Sequence, residues 1–325
     1  MGSWYNLVRK VVYMMKDYRV VFMGTPVFAC GILQTLIDEG YNVVMAVSQP
    51  DKKVGRKQEL QETPVKQLAK AHGIPVFQPE KIRDDYQPII DAKPDVIVTC
   101  AYGQFVPSAV CDFPKHHAIN VHASLLPKYR GGAPIHKAII CGEKETGITI
   151  MRMVKKMDAG EMYAKCIVPI DDDETTSTLH DKLVEAGSRL LKETLPDYLA
   201  GKIVGEMQNE EEATFAYNIT KEEEFVSFQN EEVHECYNHL RGLIDWPVGY
   251  GLLEGKRIKF YEVGMVEKDH GQTLGTISYA DKAFNIAVKG GYILVKTLQV
   301  EGKGRMSAEQ FYNGAGKQYV GKVMD

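Results

Sequence analysis

Two kinds of apolar pattern alternate along the chain. Short β-branched runs recur at 19–24, 42–49, 96–101 and 118–122, and the intervening segments, such as FACGILQTLIDEG and TPVKQLAKAHG, carry apolar residues at helical spacing. Strand and helix in alternation predict parallel strands joined by right-handed crossovers, hence an α/β fold with a doubly wound, Rossmann-like, mostly parallel sheet. ETGITIMRM and EMYAKCIVPI read as two further strands, and TSTLHDKLVEAGSRLLKETLPDYLAGK as a long helix behind Thr and Ser caps. After the polar stretch 205–212 the period changes. A short helix at 231–240 is followed by RIKFYEVGMV, GTISYA, AFNIAV and YILVKTLQVEG, short strands punctuated by glycine that predict a small OB-like β-barrel.

Length supports the division, because 325 residues exceed the roughly 250–300 at which one core stops growing. The expected organisation is a catalytic domain at 16–204, a linker at 205–217 and a second domain at 218–325. Residues 1–15 are read as an extension or an upstream start outside the fold, with Met14 or Met15 as a candidate beginning. With 44% hydrophobic and 25% charged residues, and no apolar run approaching the roughly 20 residues that span a bilayer, no membrane role is expected. The six cysteines are scattered without C-x-x-C spacing, which points to a reducing, cytoplasmic setting and no structural zinc. The net charge of −4 hides an asymmetry: 210–255 holds two Lys/Arg against eleven Asp/Glu, net −9, and 256–325 eleven against seven, net +4. A mildly acidic chain can thus present a basic end to a polyanion.

Most candidate motifs reduce to structure. FMGTP has one glycine and reads as a turn after the first strand. His234 and His239 in HECYNH are five apart, off a shared helix face, and are read as surface histidines without metal; His116 and His117 need no role. There is no G-x-S-x-G elbow and no Cys-His pair. Asn120 and His122 differ. At i and i+2 of a strand their side chains share a face and can address one ligand atom. The sheet topology also places ligands beyond the carboxyl ends of its strands. SLLPKYRGGAPI follows with backbone able to approach a ligand closely, and MVKKMDAGEM brings Asp158 in a second glycine-containing loop.

These residues make the chain resemble the formyltransferase family that uses 10-formyltetrahydrofolate, from about 18 to 316. In that family the SLLP-x-x-R-G block, the preceding Asn-x-His and a downstream D-x-G loop form the active site, which fall here on Ser124, Leu125, Leu126, Pro127, Arg130, Gly131, Asn120, His122 and Asp158 to Gly160. RGLIDWPVGY and LQVEGKGRMSAEQFYNG resemble the second domain of the branch that acts on initiator Met-tRNA. The resemblance implies a folate cleft built from the Ser124–Pro127 block, from Tyr102, Gly103, Gln104, Phe105, Val106 and Pro107, and from backbone near Val154. It implies tRNA contacts at Lys52, Lys53, Arg56, Lys57 and Arg130, no metal and no obligate protein partner. Two departures stand out: GRKQEL occupies the place where the family often continues G-R-G-K-K, and His136 the place where many members carry Gln.

Moving a formyl group between nitrogens creates an oxyanion, takes a proton from the attacking amine and returns one to the leaving nitrogen. No enzyme nucleophile is needed. Asn120 can donate to the oxyanion whatever the pH, and His122 can donate when charged or handle protons when neutral. Asp158 can orient the ring, favour imidazolium or accept the amine proton through water. The same first domain would also suit a formyltransferase of nucleotide-linked amino sugars, or a formyltetrahydrofolate hydrolase or dehydrogenase module. An intact Asn-His-Asp set argues against a catalytically silent RNA-binding protein.

Overall fold

A computed structural model describes residues 17–55 and 58–325; the expected extension at 1–15 and the pair Arg56–Lys57 lie outside them. The first sheet has seven strands. β1 (Arg19–Gly24), β2 (Asn42–Val47), β5 (Val76–Phe77), β6 (Val96–Cys100) and β7 (Ala118–His122) run parallel in the order β5-β2-β1-β6-β7, and β8 (Glu145–Arg152) and β9 (Met162–Pro169) extend the edge beyond β7. β8 is antiparallel to β7. The central strands are apolar on both faces, with Val20 to Met23 and Val96 to Val98 fully buried, as helices covering both sides of a parallel sheet require. Ala101, expected to end a strand, takes φ 47°, and this left-handed residue starts the following loop one position early.

Two helices pack against each other on the sheet, the first over β1, β2 and β6 and the second over β7. α1 (Val27–Asp38) buries Phe28, Ala29, Ile32, Leu33 and Leu36, and α6 (Thr176–Leu199) buries Leu183, Ala186, Leu190, Leu191 and Leu195. A Cβ on Gly187 of α6 would sit 3.4 Å from Val121 and 3.3 Å from Ile32, and one on Gly31 of α1 would sit 2.3 Å from Val184. Glycine at these crossings lets α6 press directly on the strand that carries Asn120 and His122. Between β2 and β5 the chain adds a hairpin, β3 (Lys52–Val54) paired with β4 (Glu59–Gln61), where only a basic loop was expected. α2 (Pro64–Ala71) follows it, capped by the Thr63 hydroxyl. Two short helices, α3 (Gln87–Asp91) and α4 (Ser108–Cys111), complete the crossovers to β6 and β7.

The chain divides into two compact units: residues up to Gly132 with Gly147–Val168 and His180–Ala216, and Ala133–Thr146 with Pro169–Leu179 and Tyr217–Asp325. Within the second, strands β10 (Tyr250–Leu253), β11 (Lys256–Glu267), β12 (Ile277–Ala280), β13 (Ala283–Val288) and β14 (Gly291–Val300) form an antiparallel sheet in the order β10-β11-β14-β13-β12, with β15 (Met306–Ser307) on β14. Ile258, Phe260, Ile277, Phe284, Ile286, Ile293 and Val295 are buried in one core, and irregularities at Phe260–Val263 bend the longest strand. α5 (Pro134–Ile140), α7 (Val233–Arg241) and α8 (Ala308–Asn313) belong to this unit. α7 begins two residues later than its pattern predicts because Glu232 is extended and, with Glu235, forms a capping box. Among the described residues no helix is long and apolar enough to cross a membrane.

Candidate active site

β7 brings Asn120 and His122 to one face, as the strand period dictates. Asn120 pairs with Thr99 of β6, and the Thr99 hydroxyl lies 2.8 Å from Asn120 Oδ1. Donating there, it orients the amide and leaves the NH2 of this half-buried residue without a hydrogen-bond partner among the described residues. A neutral donor is thereby held ready at the strand end. The His122 ring is buried and held from two sides. Its Nε2 donates to the Tyr129 carbonyl at 3.1 Å, and its Nδ1 faces Asp158 Oδ2 at 3.9 Å. With one nitrogen committed to a carbonyl, Nδ1 is the one available to exchange a proton. Asp158 is placed by its loop: it takes φ 47°, and its Oδ2 accepts the Gly131 N–H at 2.9 Å. The same oxygen therefore spans the two loops that flank the imidazole.

Arg130, expected among the tRNA contacts, is placed differently. Its side chain is 0% exposed, and its guanidinium is bound by Gln208 Oε1 at 2.8 and 3.0 Å and by Glu210 at 3.1 Å. A buried guanidinium needs such acceptors, so Arg130 fastens the loop from behind and offers nothing to a phosphate. Hydrogen bonds from Arg130 and then Lys156 hold the Glu210 carboxyl at about 2, far below its ordinary value. Gln208 also donates to the carbonyls of Asp158 and Gly160. Sequence reasoning missed Gln208, Glu210, Tyr129 and Thr99. Thr99 was within reach of strand register, whereas a glutamine inside QNEEEA carries no periodic signal. The stretch read as a linker is in fact laced to the loops of the first unit. Met162 and Glu206 exchange two backbone hydrogen bonds, and Arg130 and Tyr129 receive Thr214 as partner.

Ser124, Leu125, Leu126 and Pro127 form the turn after β7. Ser124 and Leu126 are buried, the Ser124 hydroxyl donates to Lys128 O at 2.7 Å, and Thr149 bonds both Ser124 O and Leu126 N. In the loop after β6, Tyr102 and Val106 are buried and join one apolar cluster with Met153, which leads into the loop carrying Val154. Gly103 takes φ +89° and Gln104 accepts the Ile82 N–H. Phe105, by contrast, is 61% exposed, and Val154 and Met157 are each 40% exposed; Pro107 is half-buried. The Tyr102 hydroxyl is buried without a partner among the described residues, and burial pushes its pKa up to about 12.

Lys52 and Lys53 stand exposed on β3 with no ion pair among the described residues. Both roots of their hairpin are anchored: Lys66 pairs with Asp51 at 2.5 Å and Glu62 at 3.4 Å, Gln78 donates to Asp51, and the Ser48 and Thr63 hydroxyls lie 2.5 Å apart. In the second unit, His136 donates to the Trp246 carbonyl at 3.0 Å. His239 is no bland surface histidine: Nδ1 meets Glu231 at 3.1 Å and Nε2 donates to Glu223 O at 2.8 Å. All six cysteines are free thiols.

A family model described as formyl transferase matches residues 18–195, and one described as formyl transferase, C-terminal domain, matches 218–316. The chain is 48% identical over 311 residues to the methionyl-tRNA formyltransferase of Halalkalibacterium halodurans, covering 94% of this chain and 98% of that one. It is 47% identical over 301 residues to the methionyl-tRNA formyltransferase of Bacillus subtilis, covering 91% and 95%. A crystal structure of HypX from Aquifex aeolicus in complex with tetrahydrofolic acid shares the fold, with a TM-score of 0.67 at 14% identity over 92% of this chain and 48% of that one.

Proposed function

The chain belongs to the formyl transferase family, and from that membership we propose how Asn120, His122 and Asp158 serve its reaction. The enzyme transfers a formyl group to the α-amino group of methionine on Met-tRNA, with 10-formyltetrahydrofolate as the donor substrate. The observation that carries the reading is an uncommitted amide NH2 on Asn120, two residues from an imidazole whose free nitrogen faces a carboxylate.

The amine attacks the formyl carbon, the carbonyl electrons move onto oxygen, and Asn120 donates to that oxyanion. His122 Nδ1, facing Asp158, takes up the proton shed by the amine. As the oxyanion collapses to re-form the carbonyl and the bond from carbon to N10 breaks, the same proton passes from the imidazolium to N10 and tetrahydrofolate leaves. The turn from Ser124 to Pro127, the loop from Tyr102 to Pro107 and Val154 hold the donor. Lys52, Lys53, Arg56 and Lys57 neutralise phosphates near the acceptor end, where the hairpin's anchored roots support a defined approach. Initiator tRNA is the acceptor, and charged tRNA sets the reaction in the cytoplasm.

One assay tests this. Supplied with 10-formyltetrahydrofolate and charged initiator tRNA, a nucleotide-linked amino sugar or neither, the enzyme should consume the donor only with the tRNA. Turnover on the amino sugar alone would replace this acceptor.

A further inference from the structure

We propose that Gln208 is a positioning residue of the formyl-transfer site: one side chain fixes both loops that hold His122 and so sets the place of Asp158. The inference rests on the reading of Asn120, His122 and Asp158 given above.

Gln208 is 7% exposed, and its amide is fully engaged. Nε2 donates one proton to Asp158 O and the other to Gly160 O, each at 2.8 Å. Oε1 accepts from Arg130 Nε at 3.0 Å and Nη2 at 2.8 Å. Two donors and two lone pairs exhaust the group, and its orientation is set because a flipped amide would face two carbonyls with oxygen and a guanidinium with NH2. A carboxylate could serve only the arginine. An ammonium could serve only the carbonyls.

What the amide joins gives it a function. Asp158 and Gly160 form the loop on the Nδ1 side of His122, where Asp158 holds a left-handed conformation that a non-glycine residue keeps only when its surroundings impose it. A Cβ on Gly160 would lie 1.9 Å from Arg152 O, so this loop runs tight against the strand before it. Arg130 sits in the loop on the Nε2 side, between Tyr129, whose carbonyl takes the ring proton, and Gly131, whose N–H bonds Asp158. The 3.9 Å spacing between His122 Nδ1 and Asp158 Oδ2 thus depends on where the 158–160 loop sits beside the end of β7, and Gln208 ties that loop to the one that holds Nε2. The tie comes from the stretch joining the main body of the first unit to residue 217, where the second unit resumes.

Gln208→Glu separates the two halves of the interaction, since its carboxylate still accepts from Arg130 but has no proton for Asp158 or Gly160. Gln208→Met keeps the volume with neither half. Kinetics on Met-tRNA should show kcat lowered by about 10–10²-fold in Gln208→Glu, the scale of a misplacement near 1 Å, with KM for tRNA within about threefold and a displaced kcat–pH profile. Thermal melting run alongside reports the folded fraction, and Gln208→Met supplies the comparison should Gln208→Glu fold poorly. Because Gln208 acts through Asp158, adding Gln208→Glu to Asp158→Asn should cost no more than about threefold beyond Asp158→Asn alone. Parental kcat and pH profile in folded Gln208→Glu and Gln208→Met, while Asp158→Asn loses activity, would overturn the proposal. So would full additivity in the double variant, or a kcat loss that merely follows the folded fraction. Near-normal turnover in Asp158→Asn would instead sink the underlying assignment of Asp158, and this inference with it.

Discussion

At the level of single residues, the site is an arrangement of commitments. Thr99 takes the oxygen of Asn120 and leaves its NH2; Tyr129 takes one nitrogen of His122 and leaves the other; Gly131 takes part of Asp158 Oδ2. Replacing Asn120 or His122 with Ala, or Asp158 with Asn, should therefore lower kcat by at least about 10²-fold with folding intact, the usual cost of a lost transition-state contact. Steady-state kinetics with melting curves as control checks this, and a double variant of Asn120 and His122 should lose less than the product of the singles. Strand period and flanking motifs single out these three side chains in the sequence, and the structure brings them to one end of β7. Arg130 was misplaced because a sequence shows its charge but not its burial.

Elements set how these residues meet their substrates. The loop after β6 depends on Gly103, whose φ of +89° only glycine adopts freely. A Cβ there would come within 3.1 Å of Gln49 Nε2. Gly103→Val should impair binding of a folate analogue and leave tRNA binding intact; calorimetry showing equal folate affinity would refute the assigned cleft. The hairpin β3–β4 makes the opposite claim. If Lys52 and Lys53 neutralise phosphates, each adds roughly 0.7 to 0.9 to the slope of log affinity against log salt. Changing both to Ala should flatten that slope by about one to two units and raise KM for Met-tRNA, with folate affinity unchanged. A parental slope would make the hairpin a merely solvated one. Its basic residues were visible in the sequence, but its pairing was not, since three-residue strands leave no periodic trace.

On the scale of the whole molecule, the second unit gathers separated stretches of chain. Lys137 of α5 pairs with Glu223, the Thr176 hydroxyl donates to Gly242 O at 2.6 Å, and Arg241 donates to Glu174 O at 2.6 Å. His239 fastens the same region and gives it a pH dependence. Burial alone would lower its pKa, but the hydrogen bond and charge of Glu231 outweigh burial and raise it above 6.5. The folded state then holds the proton more tightly than the unfolded chain. That stabilisation is complete below about pH 6.5, the ordinary value, and is lost as pH rises through the raised one. Melting temperatures between pH 6 and pH 8.5 should fall in the parent and fall less in His239→Gln; equal slopes would remove His239 from the account.

Periodicity and motif spacing alone pointed to the doubly wound sheet, to a second unit of short glycine-punctuated strands, and to the strand that presents Asn120 and His122, because each follows from local backbone geometry repeated along one stretch of chain; the antiparallel pairing of that second unit came from the structure. Tertiary structure decided whatever depends on partners distant in sequence. It buried Arg130, turned His239 into a fastener, rooted the basic hairpin and brought residues 206–216 onto the loops around His122. Gln208 and Asp158 lie 50 positions apart, and no local pattern records a hydrogen bond whose two ends are joined only when the whole unit folds.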